Sequence, residues 1–466
     1  MNLRLTRVLL LACLALGLPA LASAAPPSDS ASSTPQADSS SGAQLVNSNA
    51  LKLNMDAYLQ ALGVAEDVPD NTGFKDRDRA YLFLKEARLR FDGTLYGMGF
   101  DIMLAPGGED ITPNTNSALG LLDFSFDVPL FKDNSVKIGQ FPVPYSRERI
   151  TDDATMSFAD RSVENLGFYW NRDYGVGLSH YAGKFAGTVA VLSGGGRDVP
   201  QRYLPEKLGF PLFVARVGYN DGIDRDIYHV SARDADLSSP GANTLLVTDT
   251  SRPRMAAFLN GLYIKDSDIG HSTVLNVRAT DKNLLIDPNY NPFIARAPFS
   301  LATIYQLGGD AVYRRQMGAM RFNAEGQVDY AHFHNDYGQL TLKGGRAQAG
   351  VSKGKLEANL RYSILYLDKR MAYSTGGVNY PILTSNAPLQ ELTPALAYHY
   401  RQGLNVVLDF PVLIKMLVFH ENTIGSYVMY EQPDQVTVVK PGTTAGTGFA
   451  SRSNVFETRL MLQLGF

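Results

Sequence analysis

The chain has 466 residues, of which 45% are hydrophobic, a mean hydropathy of −0.12 and a formal net charge of −3. Because it is not a polycation, we expect no nucleic-acid partner. Beyond residue 24, no uninterrupted apolar stretch reaches the roughly 18 residues that a spanning helix needs. Apolar residues are instead distributed by alternation, which is typical of a chain built from strands.

The N-terminus has the parts of a secretory signal. Two arginines precede the apolar run Val8–Leu18, and small residues at Ala22–Ala24 provide a cleavage site. We therefore expect residues 1–24 to be removed on export. The only cysteine, Cys13, lies in this segment. The mature chain is thus expected to have no disulfide, thiolate metal site or cysteine nucleophile.

The remaining chain divides into a leader and one domain. Residues 25–48 are rich in Ser, Pro and Ala, a composition that builds no core, and they are predicted to be a disordered leader. Residues 49–466 are a succession of alternating segments, and about 26 residues for each strand with its connection gives about 16 strands. The predicted fold is all-β, a transmembrane antiparallel β-barrel of the bacterial outer membrane. A barrel of that size is too wide for side chains to fill, so we expect an aqueous channel.

Alternation assigns a lipid face and an inner face to several strands. In Val455–Phe466, apolar residues facing lipid alternate with Glu457, Arg459 and other polar residues facing inward. In Tyr81–Asp92, the lipid face is predicted to carry Phe83 and Lys85. Lys85 must then extend its charged end to the interface or lie close to it. Inward rows of unpaired charge would be costly in a soluble core but are ordinary in a water-filled lumen. The alternation therefore predicts a polar barrel interior.

Two short stretches indicate a family. Lys137–Ser162 (KIGQFPVPYSRERITDDATMSFADRS) and Asn171–Val176 (NRDYGV) resemble the phosphate-selective porins O and P. In that family a Gly-Gln-Phe strand runs into a Pro-aromatic-Ser-Arg-Glu segment and, later, an Arg-Asp-x-Gly-Val strand. The resemblance implies a homotrimer of sixteen-stranded barrels, an inward-folded constriction loop and lumen cations that draw phosphate-like anions through. It also implies that Phe466 presents an aromatic terminus to the barrel-assembly machinery.

Carried onto this sequence, the resemblance predicts three cations in the constriction loop, Arg147, Arg149 and Arg161. The strand pattern adds inward-facing cations on the wall: Arg88, Arg90, Lys137, Arg216, Arg321, Arg346, Arg361 and Arg459. A guanidinium matches two phosphate oxygens at once, and several such sites in series let an anion move without a deep trap. The alternative is that these cations pair with acids of the lumen and of the loop and only brace the wall. Both interpretations stay open at this point.

The predicted function is therefore a passive porin without cofactor, with outer-membrane lipid around it, that admits small hydrophilic solutes and prefers phosphate or related anions. The chain is not predicted to be an enzyme, since no Gly-x-Ser-x-Gly elbow and no Ser/His/acid order stands out. A lipase-like barrel enzyme and a plugged structural or adhesive barrel are the alternatives. His332 and His334 share one face but offer no third ligand, so a position at the membrane interface is predicted for them and not a metal site.

Overall fold

The computed structural model describes most of the predicted barrel domain. The described residues are 43–48, 50–68, 77–105, 120–131, 133–168, 170–194, 196, 211–221, 223, 227–228, 253–268, 300–335, 338–375, 378–381, 388–401, 404–419, 428–432, 435–439 and 450–465. The predicted signal segment, the predicted leader up to residue 42 and Phe466 lie outside them.

Antiparallel strands form nearly all of the described chain. They are β1 (Ala43–Asn47), β2 (Leu51–Val68), β3 (Arg77–Leu95), β4 (Met98–Ala105), β5 (Gly120–Pro129), β6 (Asn134–Pro142), β7 (Arg172–Ala182), β8 (Phe185–Leu192), β9 (Leu212–Asn220), β10 (Arg254–Asp268), β11 (Ser300–Met317), β12 (Met320–Asn335), β13 (Gly338–Lys353), β14 (Leu356–Thr375), β15 (Val378–Pro381), β16 (Leu389–Arg401), β17 (Leu404–Asp409), β18 (Val412–Phe419), β19 (Val428–Gln432), β20 (Gln435–Val439) and β21 (Ala450–Gly465).

These segments make one closed barrel. From β2 to β14 each strand pairs with its successor, and β14 pairs with β16. At the end of the chain β21 returns to pair with β2, through partners from Tyr58↔Gly465 to Asp67↔Phe456. Segments β17 and β18 are two halves of one strand, because both pair with β16 and with β21 on either side of Pro411, which has no amide proton to donate. β1, β15, β19 and β20 extend the edges of the wall. The result is a closed 16-strand antiparallel barrel, which confirms the predicted fold class.

The helices within the described residues all lie between β6 and β7. They are α1 (Arg147–Ile150), a single 3-10 turn (Asp153–Thr155) and α2 (Val163–Gly167). No helix in the described part of the chain is long and apolar enough to cross a membrane.

Short turns join the strands at one end of the barrel, for example at 96–97, 183–184, 318–319 and 354–355. We call this the short-turn end and the other the long-loop end. The connection between β9 and β10, residues 221–253, is an exception, because it is long and leaves the barrel wall at the short-turn end.

The predicted faces of the last strand are confirmed. Glu457, Arg459 and Gln463 are at most 5% exposed, whereas Phe456 is 50% exposed. Side chains on the first face contact the connection between β6 and β7, as in the hydrogen bond from Gln463 Nε2 to Ala154 O of 2.8 Å, so that face is the inner one.

The predicted faces of β3 are wrong at Lys85 and Phe83. Pairing with β2 shifts by one residue, since Gln60 pairs with Glu86 while Ala61 pairs with Leu84. This bulge reverses the alternation for the residues that precede it. Lys85 therefore points inward, where its Nζ donates to Ala159 O at 2.7 Å. Phe83 packs against inner-face residues, and Leu82 becomes the exposed residue.

The predicted leader overlaps the barrel at its C-terminal end. Ala43–Asn47 form β1 and pair with β2, from Ala43↔Met55 to Asn47↔Lys52. The edge of β2 is open there because its pairing with β21 stops at Tyr58. An unpaired edge offers backbone donors and acceptors, which a short added strand can satisfy.

The polar interior predicted from alternation is wrong for one side of the barrel. On strands β8 to β11 the inward side chains are mostly apolar and buried, while their outward neighbours are apolar and exposed. The inward set is Ala186, Ala190, Leu192, Leu212, Val214, Phe258, Leu262, Ile264, Ile304 and Val312. It forms one cluster with Phe141, Tyr145, Phe168 and Trp170, which belong to β6 and to the connection that follows it. The barrel interior therefore has an apolar side, packed like a core, and a charged side.

Candidate pore constriction

The connection between β6 and β7, residues 143–171, folds into the barrel, as predicted. We call it the inner loop. Its backbone is bonded to the wall at widely separated strands: Val163 N donates to Glu391 of β16 at 3.0 Å, and Ala159 N donates to Asp409 of β17 at 2.8 Å. Trp170 Nε1 donates to Gln306 Oε1 of β11 at 2.9 Å. The inner loop thus follows the inner wall from β11 round to β3.

Glu148 of α1 joins the two helices of the inner loop and the wall. Its carboxylate accepts hydrogen bonds from the backbone and hydroxyl of Ser162, at 2.8 and 2.6 Å. The same carboxylate lies 3.5 Å from Arg346 Nε of β13 and 3.6 Å from a terminal nitrogen of Arg361 of β14. Glu148 is almost fully buried, so these contacts are shielded from water. They fix α1 and α2 against the wall.

Arg147 faces the wall and not the lumen water. It is 0% exposed, and its Nε lies 3.6 Å from Glu325 of β12. Glu325 also makes a short ion pair with Arg346. Next to it, Tyr145 donates to Asp329 at 2.9 Å and Gln327 Nε2 donates to the Ser146 hydroxyl at 2.7 Å. Arg147 therefore lies in a network that holds the loop to β12.

Arg361 and Arg161 also have protein partners. Arg361 pairs with Glu391 at 2.6 Å, donates to Asp160 O at 2.9 Å and stacks on the Phe158 ring at 4.3 Å from its centroid. Arg161 makes a short ion pair with Asp153 and donates to the carbonyls of Glu148 and Thr151, at 3.3 and 3.1 Å. Each contact joins parts of the inner loop to each other or to the wall.

A group of arginines lies between the inner loop and strands β3 to β7. Arg149 donates to Trp170 O at 3.2 Å and to Asn171 Oδ1 at 2.6 Å, and Arg172 reaches the same Asn171 oxygen at 3.4 Å. On the wall, Arg172 pairs with Asp123 at 2.8 Å and Arg90 pairs with Asp101 at 2.7 Å. Arg88 lies 3.5 Å from Glu86. This group, Arg88, Arg90, Arg149, Arg161 and Arg172, is called the arginine face.

The other predicted cations lie apart from the arginine face. Arg216 is fully buried on the apolar side, where it pairs with Asp310 at 2.5 Å and covers the Phe258 ring. Lys137 pairs with Asp127 at 2.5 Å, and Arg459 pairs with Glu457 at 2.6 Å. Arg321 is half-buried and directly follows the turn between β11 and β12. The predicted cations thus do not form one continuous ladder.

Sequence reasoning missed three members of this site. Lys85 was assigned to lipid because the bulge has no signal in the alternation. Gln327 contacts Ser146, Glu164 and Asp329, and Arg172, in the Asn-Arg-Asp-Tyr-Gly stretch, completes the arginine face. The NRDYGV stretch contains Arg172 but gives no sign of its role, which depends on the fold of the inner loop.

Glu164 of α2 is a carboxyl group in an acidic surrounding. Burial raises the pKa of Glu164 well above its ordinary value, and the nearby Asp329 and Glu148 raise it further, while Arg346 opposes them. Gln327 Nε2 contacts it at 3.3 Å. Glu164 therefore holds a proton under conditions in which an exposed glutamate has lost it.

The two histidines singled out in the sequence lie apart from this site. His332 and His334 stack at 5.7 Å between ring centroids, and His334 stacks on Tyr305, which is exposed on the outer face. Among the residues described here, no group of three or more His, Cys, Asp or Glu is placed to hold a metal ion.

Comparison with known proteins finds a matching family model and solved structures of similar fold. Residues 59–201 match the family described as phosphate-selective porin O and P, whereas no curated protein matches the chain. The anion-selective porin from Comamonas acidovorans is 12% identical, with a TM-score of 0.50 over 89% of this chain and 100% of its own. The outer membrane channel DcaP of Acinetobacter baumannii is 12% identical, with a TM-score of 0.48 over 91% and 99%.

The matched range begins in β2, includes the whole inner loop and extends past β8. The anion-selective porin supports the barrel fold and no finer property, because its sequence identity is low. The predicted resemblance to the phosphate-selective porins is therefore confirmed over the part of the chain that forms the inner loop and the wall beside it.

Proposed function

We propose that this chain is an outer-membrane porin that lets small hydrophilic solutes diffuse passively through its lumen and prefers phosphate or related oxyanions. The closed barrel with an inner loop and the match to a porin family support the channel. The homotrimer, the lipid surroundings and the role of Phe466 in assembly are part of this proposal and rest on the family resemblance. The constriction is the gap between the inner loop and strands β3 to β7.

The exposure of two pairs on the arginine face supports the anion preference. In the Arg90–Asp101 pair the arginine side chain is 29% exposed and the aspartate 8%. In the Arg172–Asp123 pair the values are 14% and 1%. In these two pairs the carboxylate lies behind its guanidinium, so a solute that passes Arg90 and Arg172 meets donors before acceptors. A guanidinium that is already paired with a carboxylate binds a further anion weakly. Weak binding suits transport, because the anion must also leave the site.

The opposite arrangement occurs elsewhere in the barrel, so the preference depends on where the solute passes. Asp127 is 38% exposed and its partner Lys137 only 3%, and Asp160 is 35% exposed against 10% for Lys85. A path along these acids would favour cations. The arginine face therefore accounts for anion preference only if the solute passes between the inner loop and β3 to β7.

The test is the reversal potential of single channels in a planar bilayer under a potassium chloride gradient. We expect anion preference in the wild type, and a shift toward the cation side in Arg90→Gln/Arg172→Gln and in Arg149→Gln/Arg161→Gln, because each double change removes two positive charges. Added phosphate should reduce the chloride current in the wild type more than in the variants. Lys184→Gln, at the exposed short-turn end, is the matched control and should leave the potential unchanged.

The outcomes separate the candidate functions. A folded wild type that does not conduct would contradict the channel and favour a plugged structural barrel. Hydrolysis of an ester by purified protein would favour the enzyme. Conduction with an unmoved reversal potential would reject the role of the arginines in selectivity. Loss of folded barrel in Arg149→Gln/Arg161→Gln alone would assign Arg149 and Arg161 to bracing.

A further inference from the structure

A second segment enters the barrel interior. It belongs to the connection between β9 and β10, in which residues 221, 223, 227, 228 and 253 are described. Ile223, Ile227 and Tyr228 are 7%, 2% and 1% exposed and belong to the apolar interior cluster together with Phe141. Burial of this degree means that these side chains pack inside the barrel and not below its rim.

Tyr228 has specific partners on the inner wall. Its hydroxyl lies 2.7 Å from Thr188 Oγ1 of β8 and 3.2 Å from Ser179 Oγ of β7. Its ring meets the Phe141 ring edge-on at 5.2 Å between centroids. Two hydroxyl partners and an aromatic partner define one orientation for this side chain. The position lies near the short-turn end, because the turn between β7 and β8 is at 183–184.

The wall has a recess for this hydroxyl. A Cβ on Gly177 of β7 would lie 2.2 Å from the Tyr228 hydroxyl oxygen, closer than atoms can approach. The tyrosine ring is rigid, so a side chain at this position would displace Tyr228 as a whole. Gly187, on the neighbouring strand β8, would place its Cβ no closer than 3.5 Å to any neighbour. The recess is therefore specific to Gly177.

Tyr228 also covers a charge of the lumen wall. Lys137 Nζ lies 5.1 Å from the centroid of the Tyr228 ring and 2.5 Å from Asp127 Oδ2. The ring and the carboxylate leave the Lys137 side chain 3% exposed, while Asp127 is 38% exposed. A cation between a carboxylate and an aromatic face is satisfied without water. Water near this wall therefore contacts Asp127 and not Lys137.

We propose that Ile223, Ile227 and Tyr228 form a second constriction element, which narrows the water path along β6 to β8 and withholds the Lys137 charge from permeating ions. The inner loop is bonded to the wall from β11 round to β3, so the two elements occupy different parts of the interior. This inference rests on the proposed channel function.

The first experiment measures conductance and selectivity of single channels. Tyr228→Ala removes the ring, and Gly177→Ala displaces it without changing the segment itself. We expect both variants to conduct more than the wild type and to move the reversal potential toward anions, because the path widens and Lys137 becomes accessible. Gly187→Ala is the matched control and should behave as the wild type. Adding Lys137→Gln to Tyr228→Ala should cancel the shift in potential but keep the larger conductance.

The second experiment measures accessibility and does not depend on conduction. Thr188→Cys places a thiol under Tyr228 in a mature chain whose only other cysteine, Cys13, is in the predicted signal segment. We expect a charged, water-soluble thiol reagent to modify it on the order of tenfold faster when Tyr228→Ala is also present, because no local opening is then needed. If either alanine variant fails to fold, Tyr228→Phe keeps the ring and loses the hydroxyl contacts, and should show a smaller increase in modification.

The results distinguish this inference from the proposed function. A wild type that does not conduct contradicts the channel, and slow modification of Thr188→Cys then still tests the packing of Tyr228. A wild type that conducts, with Tyr228→Ala and Gly177→Ala equal to it in conductance and potential, would overturn the second constriction element. Equal modification rates with and without Tyr228 would overturn it as well.

Discussion

The charged and the apolar sides of the barrel interior are built from strands with similar alternation, but different side chains fill them. On the charged side, the inner loop is held by paired groups such as Glu148 with Arg346 and Arg361, whose contacts range from 3.5 to 3.6 Å. On the apolar side, strands β8 to β11 carry buried aliphatic side chains, and the buried pair Arg216–Asp310 lies among them. Alternation along a strand therefore shows which side chains point inward. Whether those side chains are charged or apolar depends on the segment that packs against them inside the barrel.

The largest effect is expected when the carboxylate at the centre of the charged side is removed. Glu148→Gln leaves Arg346 and Arg361 short of a buried counter-charge, which costs about 3–5 kcal/mol when one partner of a buried pair is lost. We expect less heat-modifiable barrel, a lower urea midpoint in detergent and noisier single-channel currents as the inner loop loosens. Asp221→Asn breaks a pair with Lys184, whose side chain is exposed, and should change none of these. An unchanged midpoint in Glu148→Gln would show that the inner loop is held mainly by its apolar contacts.

The pair on the apolar side gives a matched comparison. Asp310→Asn leaves Arg216 as an uncompensated buried cation, and a loss of about 3–5 kcal/mol is expected again. Arg216→Met/Asp310→Leu removes both charges among apolar neighbours and should restore most of the stability. The urea midpoints of the two single variants and the double variant measure the coupling. Anion selectivity should be the same in the double variant as in the wild type, and a shift would mean that Arg216 contacts permeating ions.

A smaller effect is expected from pH at the contact between α2 and the wall. Because burial raises the pKa of Glu164, the folded protein keeps a proton that the unfolded chain releases. Stability should therefore fall as pH rises from the ordinary glutamate pKa through the raised folded value. Glu164→Gln mimics the protonated form, so its urea midpoint should exceed that of the wild type at pH 8 and approach it at pH 5. A difference that is the same at both pH values would show that the proton at Glu164 plays no part.

The smallest effect concerns the N-terminal edge of the barrel. Removal of residues 25–42 should leave folding and conductance intact, as expected for a leader that buries nothing. Removal of residues 25–48 also deletes β1 and its pairing with β2. We expect this second truncation to lower the urea midpoint slightly, by about 1 kcal/mol, since hydrogen bonds at an exposed edge contribute little net stability. Equal midpoints for the two truncations would show that β1 adds nothing to the barrel.

The sequence alone determined the barrel, its strand number and the inward path of the loop after β6. These follow from local patterns, since side chains alternate along any strand and the Lys137–Ser162 stretch carries its resemblance in consecutive residues. Deletion of Phe466 is expected to reduce the amount of folded barrel in the membrane, and this stays a prediction from sequence.

Only the tertiary structure showed which of these cations face the wall and which lie on the arginine face. Arg147 and Arg149 are two residues apart in one helical turn, yet Arg147 meets Glu325 on β12 and Arg149 meets Asn171 near β7. The bulge at Lys85 and the recess at Gly177 were equally hidden, because each depends on a partner far away in the chain. Burial and charge pairing are set by what packs across the barrel, and no periodicity within one strand contains that information.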